Sequence, residues 1–191
     1  MAGPKQSQAR PSRVTVGQFF EAGRERLGLE LVTGRIGLRR VIVEPVAHRP
    51  GLALSGFYRH FAHKRIQVIG MAEFEYLSSM PEAQRVQRLE ELFAKKIPCI
   101  VFTRGKRIFP EVERLAKRNN VCVLRTNMVT RHFVHSVSFV LEELYAPRCK
   151  VHGTMLEVAG VGVFIEGAAG LGKSETALGL IKRGHALVAD D

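Results

Sequence analysis

The residues with the clearest chemistry are Gly167-Ala168-Ala169-Gly170-Leu171-Gly172-Lys173-Ser174, which fit the pattern G-x-x-x-x-G-K-[ST]. Average residue usage produces this pattern at about 4 in 100,000 positions, so a chance match in a chain of 191 residues is rare. Each type has a reason. Gly167, Gly170 and Gly172 let the backbone turn its N–H groups inward as an anion nest. A helix beginning near Lys173 adds its positive end. Lys173 can reach the outer phosphates of a nucleotide, and the Ser174 hydroxyl can bind Mg²⁺. The flanks suit the motif: VGVFI reads as a buried strand before it. SETALGLIKRG reads as a helix after it, with Ala177, Leu178 and Ile181 on one side and Gly184 as its stop. Such a loop names a ligand, not a reaction.

A second feature lies close by. The chain has 18 acidic residues, and only two are aspartate, Asp190 and Asp191. They follow the apolar run Ala186–Ala189. That run reads as a strand returning beside the loop strand through a right-handed crossover. Ligands of parallel sheets bind at the carboxyl ends of strands, which brings both carboxylates to the phosphates. One can hold Mg²⁺ and the other can take a proton from a hydroxyl nucleophile. The plainer reading is a turn after a strand, a common place for Asp. Histidine pairs at i, i+3 (His60/His63 and His132/His135) could seat a metal, but no Cys or carboxylate completes either site, and they read as exposed or partly buried histidines. His185 caps the helix that ends at Gly184.

The elements that position these residues fall into three segments. Residues 1–14 are polar and basic and read as a disordered leader without the apolar region of a signal peptide. Residues 15–146 read as an α/β domain. It has a helix over 15–28 stopped by Gly28, short strands at Leu29–Val32 and Arg40–Val43, a turn in HRPGLALSGF and a strand in RIQVIG. A helix then starts after Pro81. IPCIVFTRG, PEVERLAKRNN and VCVLRT make a strand–helix–strand unit with a parallel sheet, and a long helix covers 129–145. Residues 147–191 begin a second domain with two strands turning at Ala159–Gly160. Net charge is +11. That favours an anionic partner, but basic and acidic residues interleave and no nucleic-acid motif is present, so nucleic acid is not the expected partner. Cys99, Cys122 and Cys149 are far apart in sequence and read as small core residues. No run is long enough for a membrane span, and the expected location is the cytoplasm.

The run GKSETALGLIKRGHALVADD resembles the catalytic core of the HPr kinase/phosphorylase family, whose pattern is a G-x-x-G-x-G-K-S-E loop, then K/R-R-G-H, then A-D-D. VHG at 151–153, HRPGLALSGF and RIQVIG extend the resemblance upstream. The resemblance implies an N-terminal α/β domain followed by a P-loop kinase domain similar to phosphoenolpyruvate carboxykinase, usually in hexamers. It implies phosphoryl transfer from ATP or pyrophosphate to a serine of the phosphocarrier HPr. The reverse reaction is attack of inorganic phosphate on phosphoseryl-HPr. By the same resemblance, residues 167–174 bind ATP, Ser174 and Asp190 hold Mg²⁺, His152 lies near the transferred phosphate, and Asp191 accepts or donates the proton. Ala169 departs from the Ser usual there, at little expected loss, because the cradle is backbone. The resemblance also implies further chain beyond Asp191, including a metal-binding Glu and the HPr contacts, so residues 1–191 alone are expected to be inactive. The alternative is a non-catalytic regulatory or interaction module with a vestigial nucleotide site.

Overall fold

A computed structural model of the chain describes residues 13–147 and 151–190. The chain forms two compact units, one through Pro147 and one from Arg148. The first contains β1 (Val14–Thr15), α1 (Val16–Gly23), β2 (Glu30–Leu31), β3 (Val41–Ile42), β4 (Ala47–His48), α2 (Gly51–Leu54) and β5 (Ile66–Ile69). It continues with α3 (Met71–Ser78), α4 (Glu82–Ala94), β6 (Cys99–Phe102), α5 (Pro110–Arg118), β7 (Cys122–Arg125) and α6 (Thr130–Tyr145).

Five strands form one sheet in the order β2-β7-β6-β5-β4. β4 to β7 run parallel, and β2 closes one edge antiparallel to β7. Every residue of β5 and β6 is buried. Parallel strands covered on both faces read as continuous apolar runs, which is why CIVF and CVLR stand out in the sequence. Alternation then divides the core. Val68, Val101 and Leu124 face Phe19 and Phe20 of α1 and Phe133, Val137 and Leu141 of α6. Ile69, Ile100, Phe102 and Val123 face α2 to α5 through residues such as Leu54, Leu77, Leu92 and Val112. The strand–helix–strand unit expected from residues 97–126 is present and parallel, with Cys99 opposite Cys122. Both thiols are fully buried. Burial pushes Cys122 up to about 12 and also raises Cys99, with Cys122 beside it as a lesser cause. Cys149 lies outside the described residues.

Two expectations for this unit need correction. Val14, assigned to the leader, is a buried residue of β1 paired with Ile42; residues 1–12 lie outside the described residues. The helix expected over 15–28 ends at Gly23. The Leu27 N–H still reaches the Gly23 carbonyl (2.8 Å), and Leu29 N–H reaches Arg24 (3.0 Å), so the chain turns instead of continuing. The turn buries both Leu27 and Leu29 against Gly23, where a Cβ would sit 2.9 Å from Leu29 Cδ1.

The second unit consists of β8 (Thr154–Val158), β9 (Val161–Ile165), α7 (Lys173–Lys182) and β10 (Ala186–Ala189). Ala159 and Gly160, both at positive φ, close the β8–β9 hairpin as the two-residue turn that matches strand twist. The sheet order is β10-β8-β9, with β8 antiparallel to both neighbours. The returning strand therefore does not pair with the loop strand, as the sequence suggested; β8 lies between them. The helix explains this. α7 packs over β8 and β10, and a helix about 10 Å wide spans two strand spacings of about 4.8 Å, so the chain returns two places away. The burial expected of the loop strand VGVFI also fails. β10 is exposed throughout, Val161 and Phe164 of β9 are exposed, and so are Leu178 and Ile181. Of the helix face, only Ala177 is buried. No second layer among the described residues covers those side chains.

A left-handed turn fixes the approach of residues 34–40 to the sheet. Gly37, at φ +73°, donates its N–H to Asn120 Oδ1 (3.1 Å), and a Cβ there would sit 2.4 Å from Cys122 N. Gly34, at φ +64°, faces open space. Gly34→Ala is expected to cost about 1–2 kcal/mol, the left-handed penalty alone. Gly37→Ala is expected to cost about 1–3 kcal/mol more, because backbone must move. Urea unfolding of the two variants checks this, and equal midpoints refute the close approach.

Candidate functional site

The phosphate-loop motif occupies the turn between β9 and α7. Gly170 (φ +82°) and Gly172 (φ +77°) are left-handed, a conformation that side chains with a Cβ disfavour. Gly172 is the N-cap of α7, and no side chain caps this end. The first turn therefore keeps backbone N–H groups for an outside acceptor, where the helix dipole also favours negative charge. Lys173 folds back over the loop, its Nζ donating to the carbonyls of Gly167 (2.8 Å) and Ala168 (3.0 Å). Ser174, the second residue of α7, is exposed beside it. Ala168, Ala169 and Leu171 contribute backbone to an exposed loop. At the far end of α7, Gly184 N–H donates to Ile181 and His185 N–H to Leu180, so His185 closes the helix through its backbone.

Sheet pairing brings the remaining candidates to the same edge. Thr154 of β8 lies opposite Ile165, the last residue of β9 and two before Gly167. Thr154 Oγ1 donates to Asp190 Oδ1 at 2.6 Å. Asp190, Thr154 and the start of the loop thus stand side by side across three strands. A bulge produces this alignment. Leu187 pairs with Leu156 but Ala189 pairs with Met155, so Val188 is an extra residue. Unbulged pairing would place Ala189 opposite Thr154; the bulge advances the strand by one and delivers Asp190 there. His152 is exposed two residues before Thr154. Asp191 lies outside the described residues.

Sequence reasoning missed Thr154 and Thr176. Thr176 donates its hydroxyl to the Gly172 carbonyl (2.9 Å), tightening the first turn of α7. A hydroxyl residue at N4 after the motif is a legible signal for that bond. Thr154 carries no local signal, because its partner is set by a bulge 34 residues later. His60, His63, His132 and His135 are exposed in the first unit.

Two family models match the chain: the HPr serine kinase N terminus over residues 14–141 and the HPr serine kinase C-terminal domain over residues 143–191. An HPr kinase/phosphorylase of Exiguobacterium sp. is 44% identical over 167 residues, which cover 87% of this chain and 54% of that protein. The enzyme of that name from Peptoclostridium acidaminophilum is 40% identical over 179 residues, 94% of this chain and 57% of that one. The chain spans about half the length of the curated relatives it matches. A crystal structure of the CBS and DRTGG domains from the regulatory region of Clostridium perfringens pyrophosphatase aligns with a TM-score of 0.50 at 15% identity. It covers 76% of this chain and 59% of that one, a likeness of fold alone.

The Thr154–Asp190 bond makes a local prediction. Thr154→Val keeps the shape and removes the donor, while the exposed carboxylate can rehydrate. The β10 end should loosen without unfolding the hairpin. Backbone amides of Val188 and Ala189 are expected to exchange with solvent about 3- to 10-fold faster, as the loss of one modest hydrogen bond implies. Hydrogen-exchange mass spectrometry or NMR reads this, and unchanged exchange in β10 refutes the role of Thr154.

Proposed function

The chain belongs to the HPr serine kinase family, and on that premise we propose that it carries the nucleotide site of an enzyme that phosphorylates a serine of HPr and reverses that reaction. The observation that supports this most is the uncapped N-terminus of α7 behind a left-handed glycine loop, with Lys173 over the loop and Asp190 on the same sheet edge.

In the forward direction the serine oxygen forms a bond to the transferred phosphorus. The bond from that phosphorus to its leaving ADP (or phosphate, when pyrophosphate is the donor) breaks. The hydroxyl proton passes to a carboxylate. In the reverse direction an oxygen of inorganic phosphate attacks the phosphoserine phosphorus, the serine oxygen leaves with that proton, and pyrophosphate forms. The chain's part is binding, orientation and charge. Residues 167–172 present N–H groups to phosphate oxygens, and Lys173 neutralises charge that accumulates there. Ser174 and Asp190 would hold Mg²⁺, since a hydroxyl and a carboxylate suit so hard a cation, and the ion would supply positive charge to offset that of the phosphates. The proton role falls to Asp191 and a place near the transferred phosphate to His152, on the family pattern.

Two measurements on the full-length enzyme test these roles. Lys173→Ala is expected to lower HPr phosphorylation by at least about 10³-fold, since positioning and charge carry most of phosphoryl transfer. Activity within tenfold of the parent removes Lys173 from the site. Asp191→Asn is expected to slow both directions by about 10²-fold or more and to ignore added Mg²⁺, the behaviour of a lost proton carrier. Asp190→Asn is expected to recover in part as Mg²⁺ rises, because the lost term is binding. The opposite pattern exchanges the two roles, and full activity in both variants reduces the pair to a turn.

A further inference from the structure

The first unit has a concave surface of its own. A cavity of about 550 Å³ opens between α5 and the β7–β2 edge of the sheet. Four cations line it: Arg107 from the loop after β6, Arg114 and Lys117 from α5, and Arg125 from the end of β7. Glu113 is the one acid in the lining, so these residues sum to four positive and one negative charge, a net of +3. Arg125 is engaged by Glu30, with Nη2 at 2.5 Å from Oε2. Arg107, Arg114 and Lys117 make no ion pair among the described residues.

Cations kept only for solubility are usually interspersed with acids, as the interleaved charges elsewhere in this chain are. Three unpaired cations turned toward one hollow repel one another, and an anion placed among them removes that repulsion. The position also suits a ligand, because Arg107 and Arg125 follow or end two adjacent parallel strands, at the carboxyl edge where such sheets bind small molecules. The volume falls within the range of small-molecule sites. Val32 and Ile108 supply an apolar wall, beside which charged hydrogen bonds strengthen. Guanidinium forks match phosphate oxygens two at a time. Its lining contains no aromatic side chain for stacking bases, which argues against a nucleic-acid strand.

We propose that this groove is a binding site for a small molecule carrying two or more phosphate groups, held by Arg107, Arg114 and Lys117. The site belongs to the first unit and is independent of the reading given to residues 167–174. The probe is inorganic tripolyphosphate, titrated calorimetrically into the 191-residue chain carrying Lys173→Ala to weaken the loop site. One binding event is expected to remain. Adding Arg114→Gln with Lys117→Gln is expected to weaken it by about 10- to 100-fold, the loss of two charge-assisted contacts. Adding Arg24→Gln with Arg131→Gln removes the same charge from the C-terminal end of α1 and from α6, on the other side of the sheet, and is expected to change it less than twofold. The proposal fails if no event remains after Lys173→Ala, or if both double variants weaken it alike. It also fails if duplex DNA displaces tripolyphosphate with affinity that grows with duplex length, since that marks a general polyanion surface.

Discussion

Hydrogen bonding of β8 to two strands at once sets the geometry of the second unit. β9 pairs along its full length through a two-residue turn, which fixes Thr154 opposite Ile165 and so locates the mouth of the glycine loop. β10 pairs on the other side, out of register by one residue after Leu187. The glycine loop and Asp190 are therefore not neighbours in the sheet. They are coupled through Thr154, which faces one and bonds the other. A change in either pairing moves one group relative to the other by a whole residue, because side-chain direction in a strand reverses at each step.

The first unit obeys a different constraint. Its parallel strands are buried on both faces, so helices must cover both, and the chain supplies α1 and α6 to one side and α2 to α5 to the other. Several polar groups inside this core find partners, although Gln67 Oε1 does not. Thr103 donates to the Ile69 carbonyl or shares its proton with Thr130, and Glu111 meets Arg85, which also stacks on Phe109 and donates to the carbonyls of Leu77 and Met80. Replacing one member of such a buried pair strands the other, a cost larger than the net worth of the pair.

What was legible follows the range of each interaction. The glycine loop could be read because every requirement in it is local: positive φ at Gly170 and Gly172, a lysine one residue on, a helix after a strand. The parallel unit around β6 and β7 could be read because full burial leaves an apolar run. Three features were beyond reach. The helix from Val16 kept its periodicity as far as Leu27, but burial of Leu27 and Leu29 together required a turn that periodicity does not express. The apolar runs of β9 and β10 say what those strands can bury, not whether anything lies over them. The placement of β10 beside β8, and the bulge at Val188 that gives Asp190 its partner, depend on helix width and on pairing across the sheet.

The cross-strand cysteines of the first unit have a practical consequence. Cys99 and Cys122 face each other across β6 and β7 with no exposed surface, and burial keeps both as neutral thiols. Only the thiolate is an effective nucleophile, so an alkylating reagent gains nothing while the strands stay joined. Modification of these two sulfurs must wait for the centre of the sheet to part. Their labelling rate is then a clock for the rarest openings of the first unit, installed at its middle by the native chain.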